Sequence, residues 1–116
     1  MDIWYTENHT DNVRLSFRID RQLASVQSDF QRIDIFESVE FGRIMTLDGL
    51  LMLTEKDEYV YHEMITHIPM ATNPGIRNVL VIGAGDGGTV RELCRYPTIE
   101  HLSLIHISEP TRRTPI

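Results

Sequence analysis

The chain has 116 residues, of which 41% are hydrophobic and 24% are charged, and it contains a single cysteine. This composition is typical of a globular protein, and one cysteine cannot form an internal disulfide, which excludes a disulfide-stapled secreted scaffold. The formal net charge of −6 disfavours nucleic acid as a partner.

Membrane and export signals are absent from the sequence pattern. No apolar run approaches the roughly 18 residues that a membrane-spanning helix needs. The segment Met1–Glu7 has neither the basic nor the apolar region of a signal peptide. We therefore expect a cytoplasmic protein that has no membrane partner.

The first half of the chain is predicted to be antiparallel β structure. Apolar and polar residues alternate over 13–19 and again over 32–36, with the period of a half-buried strand. Asp48-Gly49 lies between two further apolar runs, which is the signal for a type I′ hairpin turn. Residues 1–54 are accordingly assigned to an N-terminal β-hairpin subdomain.

Residues 55–75 are predicted to form a bridging helix and a loop. Thr54 is a candidate N-cap. Pro69 and then Pro74-Gly75 are expected to mark the end of the helix. Four apolar residues repeat at helical spacing and are predicted to form its buried face: Tyr61, Met64, Ile65 and Ile68.

Residues 76–101 are predicted to open an α/β domain. The apolar run Val79–Ile82 is typical of a strand buried on both faces of a parallel sheet. A glycine-rich turn follows at 83–88, and residues 88–95 suit a helix. That helix is expected to place Val90, Leu93 and Cys94 inward and Arg91, Glu92 and Arg95 outward.

The glycine-rich turn is the candidate ligand site. Glycines after a buried strand let the backbone approach a phosphate or an adenosine, although the same turn can form with no ligand. Asp86 within it would repel an anion and would suit an ammonium or a sulfonium ion. The alternative is that Asp86 caps the following helix.

His62 and Cys94 are two further residues whose side chains could take part in chemistry. His62-Glu63 begins like a zinc-binding helix, but the next histidine is His67, which does not share a helix face with His62, so a metal site is rejected. Without further context His62 is a boundary residue of the helix. Cys94 is expected to be a core residue.

Residues 102–116 do not continue the pattern. They begin like a strand and then become a polar, proline-containing string. One interpretation is a flexible C-terminus. The preferred interpretation is an artefactual tail, because its first residues resemble the translation of a transposase-type sequencing adapter.

Taken together, the motifs resemble those of the polyamine aminopropyltransferase family over residues 3 to about 101. Several motifs in the same order are far more specific than any one of them. The matching stretches are Trp4-Tyr5-x-Glu7, 28–31, 33–37, Phe41–Gly49, Leu53–Met64, 67–69, Val79–Gly88 and Arg91-Glu92. Ala84 departs mildly, since glycine is frequent there in the family.

The resemblance implies a fold and a reaction. The fold class is α+β: an N-terminal antiparallel β-hairpin subdomain followed by the start of a Rossmann-like, class I methyltransferase-type α/β domain. The reaction transfers the aminopropyl group of decarboxylated S-adenosylmethionine to putrescine, giving spermidine and methylthioadenosine. The donor is a co-substrate, so no cofactor or metal is expected, and a homodimer or homotetramer is implied for the full-length protein.

Site residues follow from the matched positions. The resemblance assigns Gln31, Gly83 and Gly85 to binding of the nucleoside donor. It assigns Tyr61, His62 and Asp86 to binding of the amine. For Asp86, ligand binding is therefore preferred over a role as a helix cap alone. The motifs are shared by synthases of longer polyamines, so the preferred amine stays open.

Two family features are missing from the chain. The ribose-binding acid would fall at His106, and the catalytic general-base aspartate is expected beyond the chain end, so no catalytic residue is assigned. The strand Val79–Ile82 would also lack a partner, and the chain as written is expected to be inactive and partly folded.

The alternative functions are a methyltransferase that uses S-adenosylmethionine and a non-catalytic folded fragment. A dinucleotide dehydrogenase is disfavoured by Asp86.

The artefact interpretation is tested at the gene. If residues 102–116 derive from an adapter, sequencing a PCR product from genomic DNA will give different codons after about residue 101. Finding the codons for Leu102–Ile116 in the gene itself would contradict it.

Overall fold

The computed structural model describes residues 1–106 and 112–115. It divides the chain into two compact units, Met1–Asp57 and Glu58–Ile116. Each unit has its own group of buried apolar side chains.

The first unit is built from two antiparallel sheets, which confirms the predicted β-hairpin region. A two-stranded sheet pairs β1 with β2, and a four-stranded sheet follows the chain order from β3 to β6. β1 and β3 were not predicted. For β3 the reason is that every residue is exposed, and a strand without a buried face needs no alternation of apolar and polar residues. The strands are β1 (Ile3–Asn8), β2 (Arg14–Ile19), β3 (Arg21–Gln27), β4 (Arg32–Ser38), β5 (Gly42–Leu47) and β6 (Leu50–Thr54).

Tyr5 connects the two sheets of the first unit. Its ring stacks on Phe36 with 5.4 Å between the ring centroids. Its hydroxyl donates a hydrogen bond of 2.5 Å to the carbonyl oxygen of Gly49. Burial, together with the carboxylates of Glu7 and Asp34, raises the pKa of Tyr5 to about 12. The phenol therefore stays protonated and keeps its donor at any ordinary pH.

The hairpin turn between β5 and β6 forms as predicted. Asp48 has a φ of 51° and Gly49 a φ of 78°, so both central residues are left-handed, as a type I′ turn requires. The Asp48 side chain also accepts a hydrogen bond of 2.8 Å from the Arg32 N–H. The turn is thereby tied to the start of β4.

The second unit begins an α/β fold. Its parallel pair β7–β8 is joined through α2, and β9 pairs antiparallel with β8. Met70, Val81, Leu93 and Leu102 form the buried cluster between these elements. The elements are α1 (Glu58–Thr72), β7 (Asn78–Ile82), α2 (Gly88–Leu93), β8 (His101–His106) and β9 (Arg112–Pro115).

Two expectations about β7 were wrong. It does not lack a partner, because Asn78 pairs with His101 and the register continues to Ile82 with Ile105. β8 thus uses residues 102–106, within the tail predicted to be artefactual. β7 is also not buried on both faces: Leu80 and Ile82 are exposed while Val81 is buried, because the described α1 and α2 cover only one face.

The predicted face of α1 was also wrong. Tyr61, Met64, Ile65 and Ile68 are exposed, and the buried residues are His62, Thr66 and Met70. Helical periodicity identifies residues that share a face, but the partner elements decide which face is buried. Here the buried face carries His62, whose Nε2 lies 3.3 Å from Oδ1 of Asp86 in the turn before α2, and Thr66, whose hydroxyl has no hydrogen bond within the described residues.

The start of α1 differs from the prediction, whereas its end agrees with the Pro74-Gly75 signal but not with Pro69. Thr54 does not cap the helix; its hydroxyl donates to Asp57 at 2.5 Å, and the helix begins at Glu58. The helix continues through Pro69 to Thr72, and the Asn73 N–H still donates to the Pro69 carbonyl at 2.9 Å. Within residues 1–106 and 112–115, no helix combines the length and apolarity needed to cross a membrane.

The Asp48-Gly49 turn supplies a test of the first unit. Gly49→Ala places a Cβ on a left-handed residue and should lower the free energy of unfolding by about 1–2 kcal/mol. Urea unfolding followed by circular dichroism measures the difference. Gly75→Ala is the matched control, because Gly75 lies in a turn without a positive φ, and it should change stability by less than about 0.5 kcal/mol. Equal losses in both variants would contradict the assignment.

Candidate functional site

The glycine-rich turn lies at the C-terminal end of β7. Gly83, Ala84 and Gly87 have φ values of 82°, 53° and 81°. The Gly83 N–H donates to the carbonyl of Ile105 at 2.7 Å, which ties the turn to β8. Open α/β sheets bind their ligands at this edge. Ala84 adopts a left-handed conformation that costs a non-glycine residue about 1–2 kcal/mol, so the turn geometry is kept despite the departure from glycine.

Asp86 sits in the turn with one oxygen engaged. Its Oδ1 accepts a hydrogen bond of 3.0 Å from the Gly88 N–H at the start of α2. The N-cap position itself is Gly87, which supplies no side-chain cap. Oδ1 also lies 3.3 Å from Nε2 of His62. Asp86 therefore supports the helix start with the same oxygen that faces the histidine, and Oδ2 has no hydrogen bond within the described residues.

His62 is held on several sides. It is 3% exposed, and its Nδ1 lies 2.5 Å from Oε2 of Glu58, one helical turn earlier. A Cβ at position 88 would fall 2.3 Å from the imidazole ring, so the ring packs directly against Gly88. The exposed Tyr61 ring meets the imidazole edge-on at 5.4 Å. Only a glycine at position 88 leaves room for this ring position.

Arg91 and Glu58 form a two-pronged ion pair beside His62. The Arg91 guanidinium donates to both oxygens of Glu58, at 2.9 and 3.2 Å. These hydrogen bonds, helped by the one from His62 and opposed by burial, hold the pKa of Glu58 below its usual range. Glu58 is thus an ionised acceptor, and the hydrogen it shares with His62 is carried by Nδ1.

Glu92 is the centre of a second polar cluster. It was expected to point outward, yet it is 5% exposed, and Cys94, expected in the core, is exposed. Burial of Glu92 is possible because its oxygens accept hydrogen bonds from Arg91 at 2.9 Å, Arg95 at 3.1 Å and His67 at 3.1 Å. Tyr96 completes the cluster at 2.6 Å from Nδ1 of His67.

The second unit brings together most of the residues that were assigned to binding. His62 lies on α1 beside Asp86, and Tyr61 on the same helix contacts the His62 ring. Gly83 and Gly85 belong to the same turn as Asp86. Gln31 belongs to the first unit, where its N–H donates to Ser28 Oγ at 3.1 Å in the turn before β4. Among residues 1–106 and 112–115, no group of His, Cys, Asp and Glu side chains is arranged to hold a metal ion.

Sequence reasoning missed the residues behind His62. Glu58 carried a local signal, because residues four apart on a helix are neighbours. Arg91 carried none, because it contacts Glu58 across 33 residues of sequence. His106, where the family's ribose-binding acid would fall, is the last residue of β8.

Comparison with solved structures identifies the fold. The chain is similar to a spermidine synthase solved in complex with the transition-state analogue AdoDATO, with 47% sequence identity and a TM-score of 0.87 over 90% of this chain and 36% of that one. It is equally similar to the spermidine synthase of Thermotoga maritima, at 47% identity and a TM-score of 0.86, covering 90% of this chain and 37% of that one. The architecture is that of an N-terminal β domain followed by the start of a methyltransferase-like domain.

Sequence comparison identifies the family. Residues 3–55 match the spermidine synthase tetramerisation domain, and residues 58–110 match the spermine/spermidine synthase domain. The polyamine aminopropyltransferases of Alkaliphilus oremlandii and Clostridium perfringens are 68% and 66% identical to this chain over 109 residues. The chain belongs to the polyamine aminopropyltransferase family. The match covers 94% of the chain but 38% of the length of these relatives.

The buried Glu92 cluster predicts an acid-sensitive stability. Hydrogen bonds from Arg91, His67 and Arg95 lower the pKa of Glu92 to about 2, so its contribution is complete above the ordinary carboxyl pKa and is lost as the pH falls from about 4.5 toward 2. We expect thermal unfolding temperatures measured over this range to fall less steeply in Glu92→Gln than in the unmodified chain. Glu100→Gln removes a 59% exposed carboxylate and should leave the slope unchanged. Parallel profiles for Glu92→Gln and the unmodified chain would refute the prediction.

Proposed function

We propose that the full-length protein transfers the aminopropyl group of decarboxylated S-adenosylmethionine to putrescine, forming spermidine and methylthioadenosine. The observation that carries the proposal is the placement of Asp86 and His62 together at the glycine-rich turn of a chain from this family. A dinucleotide or phosphate ligand is disfavoured, because the Asp86 carboxylate would repel its negative charge.

The charge of the site suits both substrates. Putrescine is a diammonium ion near neutral pH, and the donor carries a sulfonium and an ammonium. Asp86 has a second oxygen, Oδ2, that makes no hydrogen bond within the described residues, and an ammonium can donate to it. Tyr61 and His62 are proposed to line the same amine subsite.

The reaction itself is a displacement at carbon. A neutral amine nitrogen of putrescine attacks the aminopropyl carbon attached to sulfur, the C–S bond breaks, and the sulfonium becomes the neutral thioether of methylthioadenosine. Because putrescine is a diammonium ion in water, the attacking nitrogen must first lose a proton to a base, and it gains the C–N bond as the C–S bond breaks. We propose that this base lies in the part of the relatives' length that the present chain does not span.

Three residues are proposed to contact the nucleoside donor, as their places in the family motifs imply. Gly83 and Gly85 carry no Cβ, so the nucleoside can approach the backbone at the end of β7. Gln31 is proposed to contact the nucleoside, as its place in the family motif implies. With the nucleoside contacted by these residues, Asp86 is proposed to bind cationic groups of the substrates and not the ribose.

Association of several copies is proposed for residues 1–54. The region that matches the tetramerisation domain includes β3, an edge strand that is exposed at every residue, with Leu23 and Val26 on its surface. An exposed edge strand of this kind can pair with another copy. A homodimer or a homotetramer is the proposed state of the full-length protein.

The proposed activity is tested with the full-length product of the gene. We expect release of methylthioadenosine that requires both decarboxylated S-adenosylmethionine and putrescine. Asp86→Asn keeps the oxygen that accepts from Gly88 but loses the charge, and it should lower kcat/KM for putrescine by about 10- to 100-fold. Liquid chromatography of the nucleoside product measures the rate.

The control removes an exposed carboxylate that is distant from Asp86 in sequence. Asp11→Asn lies in the loop between β1 and β2 and should leave the rate within about twofold. Methyl transfer from S-adenosylmethionine with no use of the decarboxylated donor would instead assign the protein to the methyltransferases.

A further inference from the structure

The His62 side chain is fixed from behind by groups that the proposed reaction does not use. Glu58 holds Nδ1 at 2.5 Å, and Arg91 holds both oxygens of Glu58. On the opposite side of the ring, Nε2 faces Oδ1 of Asp86 at 3.3 Å. A continuous line of polar contacts therefore runs from Arg91 through Glu58 and His62 to Asp86.

The order of donors along this line is determined by chemistry. Arg91 can only donate, so both Glu58 oxygens accept from it. An ionised Glu58 can only accept, so Nδ1 of His62 carries the hydrogen between them. Nε2 is then the nitrogen presented to Asp86 and to the turn. A carboxylate behind a histidine fixes both its tautomer and its ring orientation in many active sites.

Packing restricts the ring as strongly as the hydrogen bonds do. The imidazole is 3% exposed and lies against Gly88, where even a Cβ would be 2.3 Å from ring atoms. Gly88 also donates its N–H to Asp86 Oδ1. The ring and the carboxylate are thus located by the same residue, and neither can move far without disturbing the other.

We propose that Glu58 and Arg91 are positioning residues of the amine subsite. Arg91 fixes the Glu58 carboxylate, and Glu58 fixes the tautomer and orientation of His62. The fixed ring places its Nε2, which carries a lone pair in this tautomer, beside Asp86, where both groups can accept from the substrate ammonium. The role in substrate binding rests on the proposed function, whereas the fixed tautomer is a property of the chain alone.

Arg91 donates to Glu92 as well as to Glu58, so a variant of Arg91 loses both contacts. Arg95 also donates to Glu92, and a variant of Arg95 therefore serves as a control for the Glu92 contact. Arg91 and Arg95 each donate to the buried Glu92, at 2.9 and 3.1 Å. Of these two arginines, Arg91 donates to Glu58 and Arg95 does not. Arg91→Met and Arg95→Met both weaken the Glu92 cluster, so a difference between them reports the Glu58 contact. Glu58→Gln keeps the size of the side chain and removes its charge.

The kinetic test uses the full-length gene product. Glu58→Gln and Arg91→Met should each raise KM for putrescine by about tenfold, with KM for the nucleoside donor unchanged. Arg95→Met should stay within about twofold of the parent in both constants. Equal effects of Arg91→Met and Arg95→Met, or equal rises in both KM values, would overturn the positioning role.

A spectroscopic test separates this inference from the proposed function. In the 116-residue chain with ¹⁵N-labelled histidine, His62 should show a protonated Nδ1, and Glu58→Gln and Arg91→Met should shift its ring nitrogen resonances while Arg95→Met does not. Unchanged resonances in Glu58→Gln would overturn the inference even in an active enzyme. An inactive full-length product that retains this tautomer pattern would reject the proposed function and keep the fixed His62.

Discussion

The second unit depends on one guanidinium group between two carboxylates. Arg91 donates to Glu58 on α1 and to Glu92 on its own helix, and both carboxylates are largely removed from water. A buried carboxylate is costly unless it is paired and hydrogen bonded. Because Arg91 and Glu58 come from different helices, the contact that satisfies their charges also brings α1 against α2.

This arrangement explains why the buried face of α1 is polar. An amphipathic helix ordinarily turns its apolar stripe inward. Here the inward positions hold His62, Thr66 and Met70. His62 contacts the carboxylates of Glu58 and Asp86, whereas the Thr66 hydroxyl has no hydrogen bond within the described residues. The apolar residues that the sequence suggested for the core remain on the surface of the described chain.

Much of the fold was accessible from sequence because its signals are local. Alternation over 13–19 and 32–36 identified two strands, and Asp48-Gly49 identified a hairpin turn whose φ values are both positive. The run Val79–Ile82 identified β7 from its own composition. In each case, neighbouring residues carry the information.

The rest depended on contacts between distant residues. The pairing of β7 with β8, the burial of Glu92 and the Arg91–Glu58 ion pair each join segments that no periodicity connects. Tyr61 and His62 were assigned to the amine subsite through family motifs, whereas the charge of Asp86 in the glycine-rich turn already indicated a cationic ligand. The Glu58–His62 pair is the exception, since its spacing of four residues on a helix was visible and went unused.

Gly88 carries a consequence for the interpretation of glycine-rich motifs. Its position is that of the third glycine of a dinucleotide-binding fingerprint, where the absence of a side chain is usually explained by close packing of the helix on its strand. In this chain the space above its Cα is occupied by an imidazole from another helix. Glycine is therefore required at position 88 because the His62 ring occupies the space that a side chain would fill. The histidine on α1 and the glycine at the start of α2 depend on each other sterically. A substitution at either position should be interpreted as a change to both.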